Sequence, residues 1–260
     1  MKIIIPMAGH SRRFKQAGYK TPKQFINIDG KPMIERVCRM FSPNDEFVFI
    51  CNREHLEDRE NRRVLESATQ FYNIVEIEPH ELGPVYSALQ AKPFVSDDEP
   101  IILSYCDFTM QWDYRRFLMK VAQYDGAVAV FKGMHPASLG NTYYAYVKAD
   151  ENMEMVELRE KQSFTPNRMD EFASTGVYYI DTWNSFANYA EEILNTKKSV
   201  GSEYYASLIY NPMVGDGRKI CLFEVEKFIC WGTPEDLEEY IHWSEYFGRD
   251  QRHLLELDNA

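Results

Sequence analysis

The chain has 260 residues, 45% hydrophobic and 27% charged, with a net charge of −11, as in a soluble globular protein large enough for one sizeable core. The acidity argues against a general nucleic-acid binder; no stretch approaches the roughly 18 apolar residues of a membrane span, and Ile3 to Met7 is far too short for a secretory signal. Five cysteines with no C-x-x-C pair and no zinc-finger spacing read as reduced thiols of a cytoplasmic protein.

In the first half, short apolar runs alternate with longer amphipathic segments. Lys2–Pro6, Phe47–Cys51, Ile74–Ile77, Pro100–Tyr105 and Ala127–Phe131 read as strands, with helices expected over Met33–Phe41, Arg53–Phe71, Pro84–Lys92 and Asp113–Gln123. Continuously apolar strands separated by helices point to a parallel sheet covered on both faces, with any ligand at the strand C-terminal ends. After about residue 140 the texture changes: Tyr143–Lys148, Met153–Glu160 and Phe172–Asp181 are strand-like and rich in aromatic and β-branched residues. A helix is expected from Thr182 to Thr196, another over Ser202–Tyr210, then a strand over Arg218–Val225 and a closing helix over Thr233–Tyr246. The expected fold is α/β: a Rossmann-like, mainly parallel mixed sheet flanked by helices, with a smaller antiparallel lobe. No Gly/Pro/Ser linker separates the halves, so residues 1–260 are expected to form one domain of two halves, 1–135 and 136–260.

The strongest chemical signal is at the start. An apolar strand ends in Met7-Ala8-Gly9-His10-Ser11-Arg12-Arg13, and Pro22-Lys23 follows nearby; residues 1–36 carry eight Lys/Arg against two acids, a local +6 on an acidic chain. Small residues let backbone amides approach an anion, and the cations neutralise the rest of its charge. Neither the G-x-G-x-x-G fingerprint nor a Walker loop is present, and taken alone the segment also reads as a solvated turn with two surface arginines.

Gly9, Arg13 and Pro22-Lys23 together resemble the G-x-G-x-R…P-K signature of the nucleoside-diphosphate-sugar pyrophosphorylases, the sugar-phosphate nucleotidyltransferases. Asp29-Gly30-Lys31-Pro32-Met33-Ile34 is similar to their G-K-P turn before a helix. The opening as a whole is most like members from bacterial capsule and surface-polysaccharide pathways. Ser11 replaces the family's second glycine, which is mildly strained if that position needs a positive φ.

The resemblance implies a fold of the nucleotide-diphospho-sugar transferase type, with 1–135 as the nucleotide-binding half and 136–260 as the acceptor-binding half, and a reaction in which an NTP and a phosphorylated sugar or small-molecule acceptor give an NDP-linked product and pyrophosphate. CTP is the first expectation for the nucleotide. Nucleotide contacts are implied for Met7, Ala8, Gly9, His10, Ser11 and Arg12, and for Glu81, Gly83 and Pro84 beside the base. Arg13, Lys23 and Asp107 are the implied catalytic residues, with Asp107 binding Mg2+ (Mn2+ as the alternative). Glu160, Lys161, Thr175 and Gly176 are implied to face the acceptor, and a homodimer is compatible with the family.

Each of these residues also has a plainer structural reading. Asp107 could cap the segment after its strand, Gly83 could simply precede a Pro-started helix, and Glu160-Lys161 could be an exposed pair. Thr233-Pro234-Glu235-Asp236 is mainly a strong helix start. Where relatives often place a second metal-binding aspartate this chain has Cys230, a soft ligand for a hard cation; Glu224 or Glu226 on the preceding strand is the expected substitute. A nucleotide-sugar-dependent glycosyltransferase is the main rival, but Tyr105-Cys106-Asp107 lacks the second acid of a D-x-D pair. A non-catalytic nucleotide-binding regulator on the same fold is the other. Neither nucleic acid nor membrane is an expected partner.

Overall fold

The computed structural model describes residues 1–141 and 143–257. Its centre is strand β1 (Lys2–Met7), six consecutive buried residues. Side chains alternate across a strand, so Ile3, Ile5 and Met7 enter one core with Phe47, Phe49 and Ile102, while Ile4 enters a second with Val48, Ile50 and Leu103. A run apolar at every position is what a strand covered on both faces requires.

Around β1 the main sheet is built from β2 (Glu46–Asn52), β3 (Phe71–Ile77), β4 (Ile101–Ser104), β5 (Gly126–Phe131), β6 (Ala145–Ala149), β7 (Met155–Glu160), β8 (Phe172–Ile180) and β9 (Ile220–Glu224). The order is β7-β6-β8-β4-β1-β2-β3, with β5 pairing β8 and β9 pairing β5. β4, β1, β2 and β3 are mutually parallel, and β9 is parallel to β5. β8 is antiparallel to β4, β5 and β6, so it joins the two halves of the chain in one sheet. Its register on β5 shifts between Ser174 and Tyr178. A bulge of this kind re-aims side chains, and it lies where the second half meets the ligand edge.

The differences from expectation have local causes. The segment expected as one helix over 53–71 is a 3-10 turn (Arg53–Leu56) and a helix (Arg59–Ala68), with Phe71 already in β3. Asn52 accepts from the Glu54 amide and Asp58 from the Glu60 amide, so each piece starts on its own side-chain cap. Ser202–Tyr210 is likewise no single helix: a 3-10 turn over Ala206–Ile209 leads into a helix over Tyr210–Gly215. A two-stranded antiparallel ribbon, Phe108–Gln111 with Lys227–Cys230, ties the segment after β4 to the chain before the last helix (Pro234–Leu257).

A third core anchors the loop after β1. Phe14, Ile26, Ile28, Met33, Trp231 and Leu237 pack together, so the short helix Arg12–Gln16 is held against the base of the closing helix. No helix among the described residues is long and apolar enough to cross a membrane.

Candidate active site

The C-terminal ends of β1 and β4 open into a cavity of about 550 Å3, the position where open α/β sheets bind ligands. Fifteen of the sequence-predicted positions line it: Met7 through Arg13, Lys23, Glu81, Gly83, Pro84, Asp107, Glu160, Lys161 and Thr175. Gly176 lies behind that wall, in the β8 bulge at φ 97°, where a Cβ would come within 2.9 Å of the Tyr105 ring. Its carbonyl accepts from the Tyr105 amide at 3.1 Å.

The loop after β1 turns through Ser11, whose φ of 54° and ψ of 35° put it in the left-handed region. This is the conformation that glycine adopts without strain, and serine holds it here at a modest cost. Ser11 Oγ accepts a long bond from the Lys23 amide at 3.4 Å, which brings Lys23 back beside the loop. Arg12 reaches the other way, forming an exposed ion pair with Glu81 across the cavity.

At the cavity floor Lys23 Nζ lies 2.5 Å from Asp107 Oδ2. Burial alone would lower the lysine pKa, but the Asp107 carboxylate more than offsets this and holds the ammonium above its ordinary range. Burial pulls Asp107 upward in turn, while Lys23, Arg13 and Lys161 outweigh it and keep the carboxyl below its usual range. Both groups are therefore ionised at neutral pH.

At the end of β7, Ser207 Oγ donates to Glu160 Oε2 at 2.5 Å, and burial raises the Glu160 pKa. Lys161, at φ 60°, donates to the Tyr143 carbonyl at 3.0 Å and lies 5.2 Å from the centre of the Tyr205 ring. Tyr205 donates in turn to Glu203. His80, Tyr105, Tyr143, Glu203 and Tyr205 all line the cavity without having been singled out as site residues from the sequence. Most arrive through contacts between segments far apart in the chain, which no local spacing encodes.

Glu224 and Glu226 are not brought to the cavity, which corrects the expectation that one of them replaces the missing ligand. Phe223 and Val225 point inward, so alternation sends both glutamates to solvent, where Glu226 accepts from Gln111. Asp107 and Cys230 flank Gly232 instead: Asp107 Oδ2 and Cys230 Sγ each lie 3.2 Å from where a Gly232 Cβ would stand. Burial, then the Asp107 and Asp236 carboxylates, push the Cys230 thiol up to about 12, and its sulfur accepts from the Gly232 amide at 3.3 Å. Among the described residues no group of three or more His, Cys, Asp or Glu is placed to hold a metal. One carboxylate is still enough for Mg2+ when nucleotide phosphates and water complete the octahedron. Asp107 fits that role; the Cys230 sulfur, a soft donor, does not suit a hard cation as a second ligand.

Sheet order, flanking helices and the cavity at the strand ends define an α/β fold of the nucleotide-diphospho-sugar transferase type. The chain belongs to the MobA-like NTP transferase domain family, whose model matches residues 3–164. It is 24% identical over 199 residues to the bifunctional protein GlmU of Methanococcus maripaludis, a match covering 76% of this chain and 44% of that protein; the chain thus spans less than half the length of this curated relative. Its fold is similar to that of a nucleoside-diphosphate-sugar pyrophosphorylase from Vibrio cholerae RC9, with TM-score 0.76, 21% identity, and 92% and 99% of the two chains covered. It is also similar to the inositol-1-phosphate CTP transferase of T. maritima, with TM-score 0.66, 19% identity, and 90% of each chain covered.

Proposed function

We propose that the protein is a nucleotidyltransferase joining an NTP to a phosphorylated sugar or similar small acceptor, as a single catalytic unit formed by both halves of the chain. The observation that carries this reading is the Lys23–Asp107 pair on the cavity floor, with the arginine loop and the Glu160-Lys161 strand end lining the same cavity. A glycosyltransferase reading leaves Arg12 and Arg13 without a task.

In this reading an acceptor phosphate oxygen attacks the α-phosphorus of the NTP, a new P–O bond forms, and the bond to the β-phosphate breaks to release pyrophosphate. A phosphate monoester is already ionised at neutral pH, so no general base is needed. The protein's contribution is positioning and charge neutralisation. Loop amides of Ala8 to Arg12 and the Arg13 guanidinium hold the β- and γ-phosphates, Arg being suited by its bidentate fork. Lys23 stands between the α-phosphate and the incoming phosphate and offsets their repulsion. Asp107 would hold Mg2+, which supplies Lewis-acid charge neutralisation at the phosphates when bound. Glu160 and Lys161 orient the acceptor, by accepting from its hydroxyls and by charge.

For the nucleotide we propose CTP, supported by the likeness of the chain's opening to capsule-pathway enzymes and by the fold shared with a CTP transferase. For the product's use we propose capsule or surface-polysaccharide assembly, on the first of those grounds. Five free cysteines support a reducing, cytoplasmic setting. The test is a pyrophosphate-release screen of the NTPs against phosphorylated acceptors.

A further inference from the structure

His80 faces the nucleotide half of the cavity, and the scheme above leaves it without a role. Its ring bridges the turn that precedes the helix Pro84–Leu89. Nδ1 accepts from the Leu82 amide at 3.1 Å, and Nε2 lies 2.8 Å from Ser87 Oγ. A neutral imidazole that accepts at Nδ1 carries its proton on Nε2, so Nε2–H donates to Ser87. Ser87 Oγ then points its own hydrogen back to the Gly83 carbonyl, at 3.5 Å.

The other side of the turn is fixed independently. The Leu82 carbonyl accepts from the Tyr204 amide at 2.9 Å, and Val85 donates to the Tyr204 carbonyl at 3.1 Å. Gly83 sits at φ 83°, and a Cβ there would come within 2.8 Å of the Tyr204 nitrogen. Both backbone polar groups of Leu82 are thus occupied, the N–H by His80 and the carbonyl by Tyr204, and the backbone of Gly83 is left against the cavity. Glycine leaves the turn's backbone conformationally permissive; the Tyr204 backbone fixes one side of it, and the imidazole is the side-chain strut on the other.

We propose that His80 is a positioning residue for nucleotide binding: it holds the 81–83 backbone in the shape against which the nucleobase lies. This rests on the nucleotidyltransferase reading, in which that turn faces the base. The protonation state agrees, because burial and then the nearby His10 lower the His80 pKa and keep the ring neutral at neutral pH. Glu81 beside it is paired with Arg12, and Tyr86 meets the ring edge-on at 4.7 Å.

The test is equilibrium binding of each NTP, with Mg2+, to wild type, His80→Ala, His80→Asn and His80→Gln, together with steady-state KM and kcat for both substrates. Loss of the strut should weaken NTP binding about tenfold, the size of one lost hydrogen bond, with kcat and acceptor KM within about twofold. Asn, whose Oδ1 can accept from the Leu82 amide, should recover most of the affinity, whereas Gln, placed to mimic Nε2, should recover less. Wild-type affinity in His80→Ala, or an equal change in kcat or acceptor KM, overturns the assignment and leaves the nucleotidyltransferase reading standing. Failure of the wild type to bind any NTP overturns that reading, and this inference with it.

Discussion

Lys23 Nζ lies 2.5 Å from Asp107 Oδ2, joining the P-K pair that follows the first loop to the end of the fourth sheet strand, 84 residues away. Each charge stabilises the other in a site that would otherwise penalise both. In the proposed reaction the ammonium would turn to the phosphates and the carboxylate to the cation, so ligand binding would exchange this mutual contact for contacts of the same charge type.

Lys23→Ala, Arg13→Ala and Asp107→Asn should therefore each lower turnover by at least about 10²–10³, the usual cost of one preorganised charge, while circular dichroism remains that of the wild type. The losses for Lys23 and Asp107 should be less than additive in the double variant, because each single change already breaks the pair.

Cys230 sets a second expectation. With one carboxylate beside a soft sulfur donor, Mn2+ alone should bind weakly, and titration calorimetry should show tight uptake only with nucleotide present. Cys230→Asp supplies a second hard ligand beside Asp107. Nucleotide-independent Mn2+ affinity should then rise at least about tenfold; unchanged affinity would mean the two side chains do not share a cation. EDTA should abolish wild-type turnover, with recovery on adding Mg2+.

Phe14 is 1% exposed in the small core under the arginine loop, and its ring meets Tyr19 edge-on at 5.3 Å. Phe14→Ala should cost about 3–5 kcal/mol in urea unfolding. Turnover should fall as well, because the loop loses the anchor that sets its backbone.

His55 makes stability depend on pH. It is buried, its Nδ1 accepts from Gln24 Nε2 at 3.1 Å, and its pKa is lowered from 6.5 to about 4 by burial, then by Lys15 and His10. A lowered pKa means that the unfolded chain binds the proton more readily, so stability is fully present above pH 6.5 and is lost as pH falls towards 4. Between pH 7 and pH 5 this group should remove about 2 kcal/mol. Urea unfolding at both pH values should show a drop smaller by that amount in His55→Asn.

Much of the fold was legible because its signals are local. The unbroken Ile3-Ile4-Ile5 run announces a strand buried on both faces, and Gly83-Pro84 announces a helix start. Ser11 could be marked as a position of strain because it stands where the resembled family has a glycine, and it adopts the left-handed conformation. The cavity walls were less legible. Tyr105 and Tyr205 depend on where residues 203–207 cross the sheet edge, as when Tyr105 Oη accepts from the Ala206 amide at 3.3 Å, 101 residues away. The ribbon pairing Phe108–Gln111 with Lys227–Cys230 is nonlocal in the same way. Alternation put Glu224 and Glu226 on one face, but only the packing of Phe223 and Val225 decided that this face meets solvent.

Pyrophosphate release tests the central claim most directly. With purified protein, Mg2+, one NTP and a panel of sugar and polyol phosphates, one pairing should release pyrophosphate in equal amount to an NDP-linked product, and Lys23→Ala should be slower by at least about 10²-fold. Near-wild-type release by Lys23→Ala, or turnover that consumes a sugar nucleotide and releases NDP without pyrophosphate, would contradict the account.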